Sequence, residues 1–199
     1  MGYDPTPGQK SGNSTVSTGS SCSTQPPGDG TAKDPVGDGP NKALALEAIK
    51  YDSEASKLPN GSQKYYYDLS NGLGHGSTAD LDKFANQGGG IDCSGFIRLV
   101  IWRAYGYDVG SILAQDFEAH PALFKKIPVS QAGNLLAGDI GVIEDGDSQH
   151  IDFITMSYGG GKLHQFGAHS ASTDIHGGDT DTSHYTYYLR YIGKGSPGQ

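Results

Sequence analysis

The residues best suited to chemistry are Cys93 and two later histidines, His150 and His164. Cys93 stands in the string Asp92-Cys93-Ser94-Gly95-Phe96, just after the run Gly88-Gly89-Gly90 and ahead of an apolar stretch that ends at Gly106. Glycines, then a small polar pair, then helical apolar spacing predict a loop ending at a helix start. A thiol in the first helical turn faces unpaired backbone N–H groups and the positive end of the dipole. That setting favours the thiolate, the nucleophilic form. A lone thiol is more often a buried structural residue, so the histidines decide between the two. A cysteine nucleophile needs a base that takes its proton and returns one to a leaving amine, and imidazole titrates in the right range. A third group must fix the tautomer of that base. His150 opens an apolar run, and His164 follows the turn Gly159-Gly160-Gly161 on the returning run. A short hairpin brings the two runs side by side, and alternation can put both histidines on one face. The expected set is Cys93 as nucleophile, His150 as base and His164 as orienter. Asp152 projects to the same side as His150, where it can bind a substrate amine or contact the histidine.

These residues need a helix and a sheet to hold them. Asn41 and the helix formers after it predict a helix over 41–57. Residues 58–90 read mostly as loop, with a short helical or extended piece around Tyr65–Tyr67. The Cys93 segment predicts a helix that buries Phe96, Leu99 and Val100 and stops at Gly106. A second helical piece over 111–126 is interrupted at Pro121. Strands are expected over 138–144, 150–157, 162–166 and 185–192, with a long polar loop over 167–183. Helices followed by an antiparallel meander give an α+β fold, with the nucleophile-bearing helix packed on an antiparallel sheet.

Residues 1–40 differ in kind, since 25 of them are Gly, Pro, Ser or Thr. Such a segment is expected to be a disordered tail, because it cannot bury enough apolar surface to offset its ordering entropy. One catalytic domain is expected over 41–195. The net charge of −8 and the lack of any basic run remove electrostatic support for nucleic-acid binding. No apolar stretch is long enough for a membrane span, and the N-terminus does not read as a classical signal peptide. The cysteines, Cys22 and Cys93, make neither a disulfide scaffold nor a zinc site. His169, His176 and His184 accompany Asp174, Asp179 and Asp181 in the 167–183 stretch. Their spacing fits no zinc pattern. The segment Asp179–Ser183 lacks the later glutamate of a calcium loop. A solvated loop on the substrate side is expected there, with no metal and no cofactor. Asp92 is expected to cap its helix.

The string Asp92–Phe96 heading a helix, then Gly138-Asp139-Ile140, then His150-Ile151, then a histidine after a glycine turn, resembles the NlpC/P60 family of cysteine peptidases. The resemblance covers about residues 88–166. It implies a papain-like α+β core and hydrolysis of amide bonds in peptidoglycan stem peptides, typically between D-glutamate and the diamino acid. It matches Cys93 to the nucleophile, His150 to the base and His164 to the third polar residue. The family often carries an aromatic residue before the nucleophile that helps hold substrate. Here one of Tyr65–Tyr67 can take that place, and Tyr66 is the one expected, with Ser94 and Asp152 completing the substrate-binding set. Asp152 stands where the family often has glycine. A lone domain with no wall-anchoring repeat resembles the amidase effectors of type VI secretion. That implies a monomer, secreted without a classical signal, acting in the periplasm of a target bacterium and neutralised in its producer by an immunity protein. Two other readings share these residues: an effector deamidating or transamidating a host protein, and a non-catalytic wall-binding module.

Overall fold

The computed structural model describes residues 34–70, 72–145, 148–170 and 174–197. It is a mixed helix-and-sheet structure of the α+β class. Helix α1 spans Lys42–Ala48 and continues as a 3-10 turn, Ile49–Tyr51. Strand β1 (Tyr65–Tyr67) pairs in parallel with β2 (Gly89–Ile91), and helix α2 (Thr78–Gln87) lies between them in sequence. Helix α3 spans Cys93–Tyr105. The strands β3 (Phe124–Pro128), β4 (Asp139–Asp145), β5 (Ser148–Gly159), β6 (Lys162–His169), β7 (Asp174–Asp181) and β8 (Tyr187–Tyr191) follow. They form one antiparallel sheet in the order β3-β8-β4-β5-β6-β7.

The alternation of β5 and β6 sorts side chains between two cores. Ile151 and Phe153 join Phe166 and Ala168 in the larger core, beneath α1 and α3. Phe96 of α3 meets Phe153 edge-on at 6.4 Å and Phe166 at 6.2 Å between ring centroids. Ile154 and Leu163 belong to the opposite face, with Ile127, Leu135, Tyr185 and Tyr188. Burying each of these large side chains contributes about 1.5–3 kcal/mol. The aromatic contacts of Phe96 therefore fix α3, and Cys93 at its start, against β5 and β6.

Several expected elements are redrawn. The helix expected over 41–57 ends early, because the chain turns at Asp52, whose carboxylate accepts from Ala55 N at 2.7 Å. Asn41 occupies the N-cap without capping. Its amide instead donates to Tyr191 O at 2.7 Å, tying α1 to β8. The expected helical piece over 111–126 divides into a 3-10 turn, Ala114–Ala119, and strand β3. In β3 the inward residues Phe124 and Ile127 flank exposed Lys125 and Lys126. Helix α2 lies inside the expected loop and starts with a capping box between Ser77 and Asp80. The expected 167–183 loop is largely strand, the end of β6 paired with β7; residues 171–173 lie outside the described residues. Polar residues hid this strand because half of it never faces the apolar core.

The expected tail boundary also moves. Residues 1–33, Cys22 among them, lie outside the described residues. Asp34 is buried, Gly37 N donates to Thr155 O at 2.8 Å, and Ala137 N donates to Asp38 O at 3.2 Å. Residues 34–40 are thus part of the packed unit, held by backbone bonds that composition does not reveal. Among the described residues, no helix is long and apolar enough to cross a membrane.

Candidate active site

A cleft of about 660 Å³ is lined by Tyr67, Asp92, Cys93, Ser94, Leu113, Gln115, Gln149 and His150, among others. Cys93 opens α3 as a free thiol. Asp92 is the N-cap, accepting from Gly95 N at 2.6 Å as its residue type and place predict. Its other oxygen lies 2.7 Å from His75 Nε2, and His75 Nδ1 lies 2.7 Å from Ser111 Oγ. Arg98, one turn into α3, grips Asp108 through two bonds of 2.7 and 2.8 Å. It also donates to Gly74 O and Gly76 O at 3.0 and 2.9 Å. That pins the segment carrying His75 against the start of α3. The contact is close enough that a Cβ on Gly95 would lie 2.5 Å from Gly74 Cα.

His150 faces Cys93 in the cleft, and its partner on the other side is Asp152. His150 Nε2 lies 2.8 Å from Asp152 Oδ1, although the N–H does not line up with that oxygen as in an ordinary hydrogen bond. Burial pushes the imidazole toward neutrality, but Asp152 and Cys93 outweigh it and raise its pKa to about 10. Asp152 is fully buried. Burial pushes its carboxyl up, and His150, His169 and the Tyr185 hydroxyl together hold it below the usual carboxylate range. Tyr185 donates to Asp152 Oδ2 at 3.2 Å. A thiol, an imidazole held in its charged form and a buried carboxylate in this order can act together as nucleophile, base and orienter.

The structure places Asp152, and not His164, beside His150. His164 is on the core face of β6 with Phe166, whereas His150, Asp152 and Ile154 occupy the other face of β5. His164 Nδ1 lies 2.8 Å from Thr155 Oγ1, and its Nε2 is 3.6 Å from Asp34. One step of strand alternation separates His164 from the expected role, and the i, i+2 spacing on a single strand supplies Asp152 in its place. His169 comes close instead. Its ring centroid is 5.1 Å from that of His150, and its Nε2 is 3.8 Å from Asp152 Oδ1.

The expected aromatic residue is also shifted by one. Tyr66 is 36% exposed, with its ring against Gly90, and does not line the cleft. Tyr67 does line it, because the parallel pairing sets Tyr67 beside Ile91, two residues from Cys93. That approach needs glycines: a Cβ on Gly90 would lie 2.3 Å from Asp68 Cβ, and Gly88 (φ +85°) has Lys64 O where its Cβ would be. Burial, then Cys93, Asp92 and Asp68, raise the pKa of the Tyr67 phenol, keeping it a proton donor. Ser94 lines the cleft, but its hydroxyl donates to Asp92 at 3.2 Å and lies 3.3 Å from His75. Asp139, in the expected Gly138-Asp139-Ile140 string, makes two 2.7 Å bonds to Arg190 and serves the sheet.

No protein-family model matches the chain, and no curated protein matches it.

Proposed function

We propose that the protein is a cysteine amidase of papain-like, NlpC/P60-like type that hydrolyses amide bonds in peptidoglycan stem peptides. The observation that carries this reading is Cys93 at a helix start in one cleft with His150, which is backed by buried Asp152. In the proposed reaction the Cys93 thiolate attacks the amide carbonyl, and the C–N bond breaks as the His150 imidazolium gives its proton to the leaving amine. The resulting thioester is hydrolysed by water, with His150 now the base; the carboxylic acid is released and the Cys93 thiolate and His150 imidazolium are restored. The Tyr67 phenol, which lines the same cleft as Cys93, is assigned as the donor to the oxyanion of both tetrahedral intermediates. Asp152 holds the imidazole in orientation and stabilises its charge.

The choice of peptidoglycan, and of the D-glutamyl–diamino acid bond, rests on the resemblance of Asp92–Phe96 and the residues in order after it. Delivery as a type VI effector into a target periplasm, with an immunity protein in the producer, belongs to the same reading. Mass spectrometry of purified peptidoglycan treated with the wild type and with Cys93→Ala tests it. New stem-peptide fragments from the wild type alone support the amidase and identify the bond. Intact muropeptides with both proteins refute it and favour a protein-directed amidase or a binding module.

A further inference from the structure

We propose that His150 Nε2, Asp152 Oδ1 and His169 Nε2 form a binding site for a divalent transition metal such as Zn²⁺, and that an ion bound there switches the hydrolase off. The second half rests on His150 being the base; the first half does not.

These three atoms lie within 4.8 Å of one another. Two separations are 2.8 and 3.8 Å, both measured from Asp152 Oδ1. Ligands about 2.1 Å from a zinc ion stand roughly 3.0–3.4 Å apart, so an ion can be accepted with side-chain shifts below about 1 Å. All three atoms are buried, and none makes a hydrogen bond of ordinary geometry, although His150 Nε2 and Asp152 Oδ1 face each other at 2.8 Å as an ion pair. Buried polar atoms with unmet hydrogen-bonding geometry cost free energy, and three of them converging on one point can take an ion in place of the His150 proton. Coordination would satisfy all three at once.

The frame is rigid. His150 and Asp152 are two apart on β5, and His169 comes from β6 beside it. Gly167 leaves the room into which Asp152 Oδ1 reaches, since a Cβ there would lie 1.9 Å from that oxygen. The outer contacts are those expected of metal ligands. The Tyr185 hydroxyl holds the other carboxylate oxygen, and the His169 ring interacts with the backbone of His176 and packs on its ring at 4.5 Å. Two imidazoles and one carboxylate suit Zn²⁺, Co²⁺, Ni²⁺ or Fe²⁺ rather than Ca²⁺ or Mg²⁺, which take oxygen ligands throughout. The sequence hides the site because its ligands come from two strands with no zinc-like spacing.

An imidazole with a metal on one nitrogen cannot pass between neutral and doubly protonated forms. The ion would therefore stop the proton cycle that the amidase reaction asks of His150, and it would take Asp152 away as orienter.

Binding is tested on the full chain carrying Cys93→Ala, stripped with a chelator, so that the thiol cannot be a ligand. Calorimetric titration with Zn²⁺ and visible spectra with Co²⁺ are expected to show one ion per chain at micromolar affinity or tighter. His169→Ala and Asp152→Asn, each added to that background, are expected to weaken binding at least about tenfold. Circular dichroism of the metal-free variants confirms that they are folded. Millimolar or weaker binding overturns the site, as does binding that neither substitution changes. So does an ion that binds the wild type, with a thiolate charge-transfer band, but not Cys93→Ala. Hydrolysis by the wild type is then measured with chelator and with saturating Zn²⁺. Activity in chelator that Zn²⁺ suppresses over the same concentration range in which it binds Cys93→Ala supports the switch. Activity that Zn²⁺ leaves intact, or that requires it, overturns the switch. No hydrolysis in either condition, with binding intact, refutes the amidase reading and leaves the metal site supported.

Discussion

Gly167→Ala is the most direct challenge to Asp152 as the partner of His150. Gly167 has an ordinary strand backbone, so alanine adds a methyl group without dihedral strain. That Cβ would sit 1.9 Å from Asp152 Oδ1 and 3.0 Å from its Cγ. Ordinary van der Waals contact needs about 3.4 Å, so the oxygen must retreat by roughly 1.5 Å. The carboxylate is buried, with Tyr185 on its other oxygen, and has little room to do so. Retreat opens the 2.8 Å contact with His150 and lets the imidazole turn. A misplacement of about 1 Å in a catalytic group costs on the order of 100-fold. Overpacking in a filled region costs about 1–3 kcal/mol of stability. The expected result is a fall of about 100-fold in kcat/KM on muropeptides, in a protein that still unfolds cooperatively but at lower Tm. Gly178→Ala is the control, because its Cβ would meet only Gln165 Nε2 at 3.6 Å; it is expected to match the wild type. Activity of Gly167→Ala within threefold of wild type would refute Asp152 as the orienting group.

Other outcomes follow from the same geometry. His164→Ala is expected to lose about 1–3 kcal/mol of stability, since it strips Thr155 of a buried partner, while kcat/KM stays within a few-fold; a loss comparable to Cys93→Ala would return His164 to the catalytic set. Tyr67→Phe is expected to lower kcat by about 100-fold or more with little change in KM, if its phenol serves the oxyanion; equal kcat in steady-state kinetics would exclude that role. Arg98 holds Asp108 below the usual carboxylate range, so that pair stabilises the fold above the unfolded carboxyl pKa and is lost as pH falls through the lower folded value. The Tm gap between wild type and Asp108→Asn is accordingly expected to be full at neutral pH and to narrow below about pH 4; a constant gap from pH 3 to 7 in thermal melts would contradict it.

Local chemistry made much of this protein legible. Asp92 as cap, α3 from Cys93 to Gly106, and the hairpin at Gly159–Gly161 follow from residue type and spacing. The alternation that puts Asp152 on the side of His150 was likewise present in the sequence. What alternation could not supply was phase across a hairpin. β5 and β6 shift register twice, between Ile154 and Met156 and between Ser157 and Gly159, so the residue of β6 beside His150 cannot be counted back from the hairpin turn. His164 and His169 differ by five residues, hence by one face of the strand. The same limit applies to Tyr66 and Tyr67, because a parallel β1–β2 pairing has no local signature. Strand β7 is not legible in the sequence because Asp174, His176, Gly177 and Gly178 carry no apolar period, and their order comes from pairing with β6. Helix α2, by contrast, carries a local signal, since Ser77 and Asp80 form a capping box.

The closeness of Gly74 to Gly95 bears on what a saturation mutagenesis screen of this chain would report. Backbone packed on backbone leaves no rotamer to adjust, so Gly95 should tolerate replacement about as poorly as Cys93, though it performs no chemistry. Asp92 and Phe96 should score nearly as low, one as a cap and one as the anchor on Phe153 and Phe166. Three of the five letters in the recognisable string would then be measuring how a helix is seated. A string of this kind therefore marks, first of all, where the Cys93 thiol is held. Selection for a new substrate would have to act elsewhere along the cleft, at Leu113, Gln115 and Gln149.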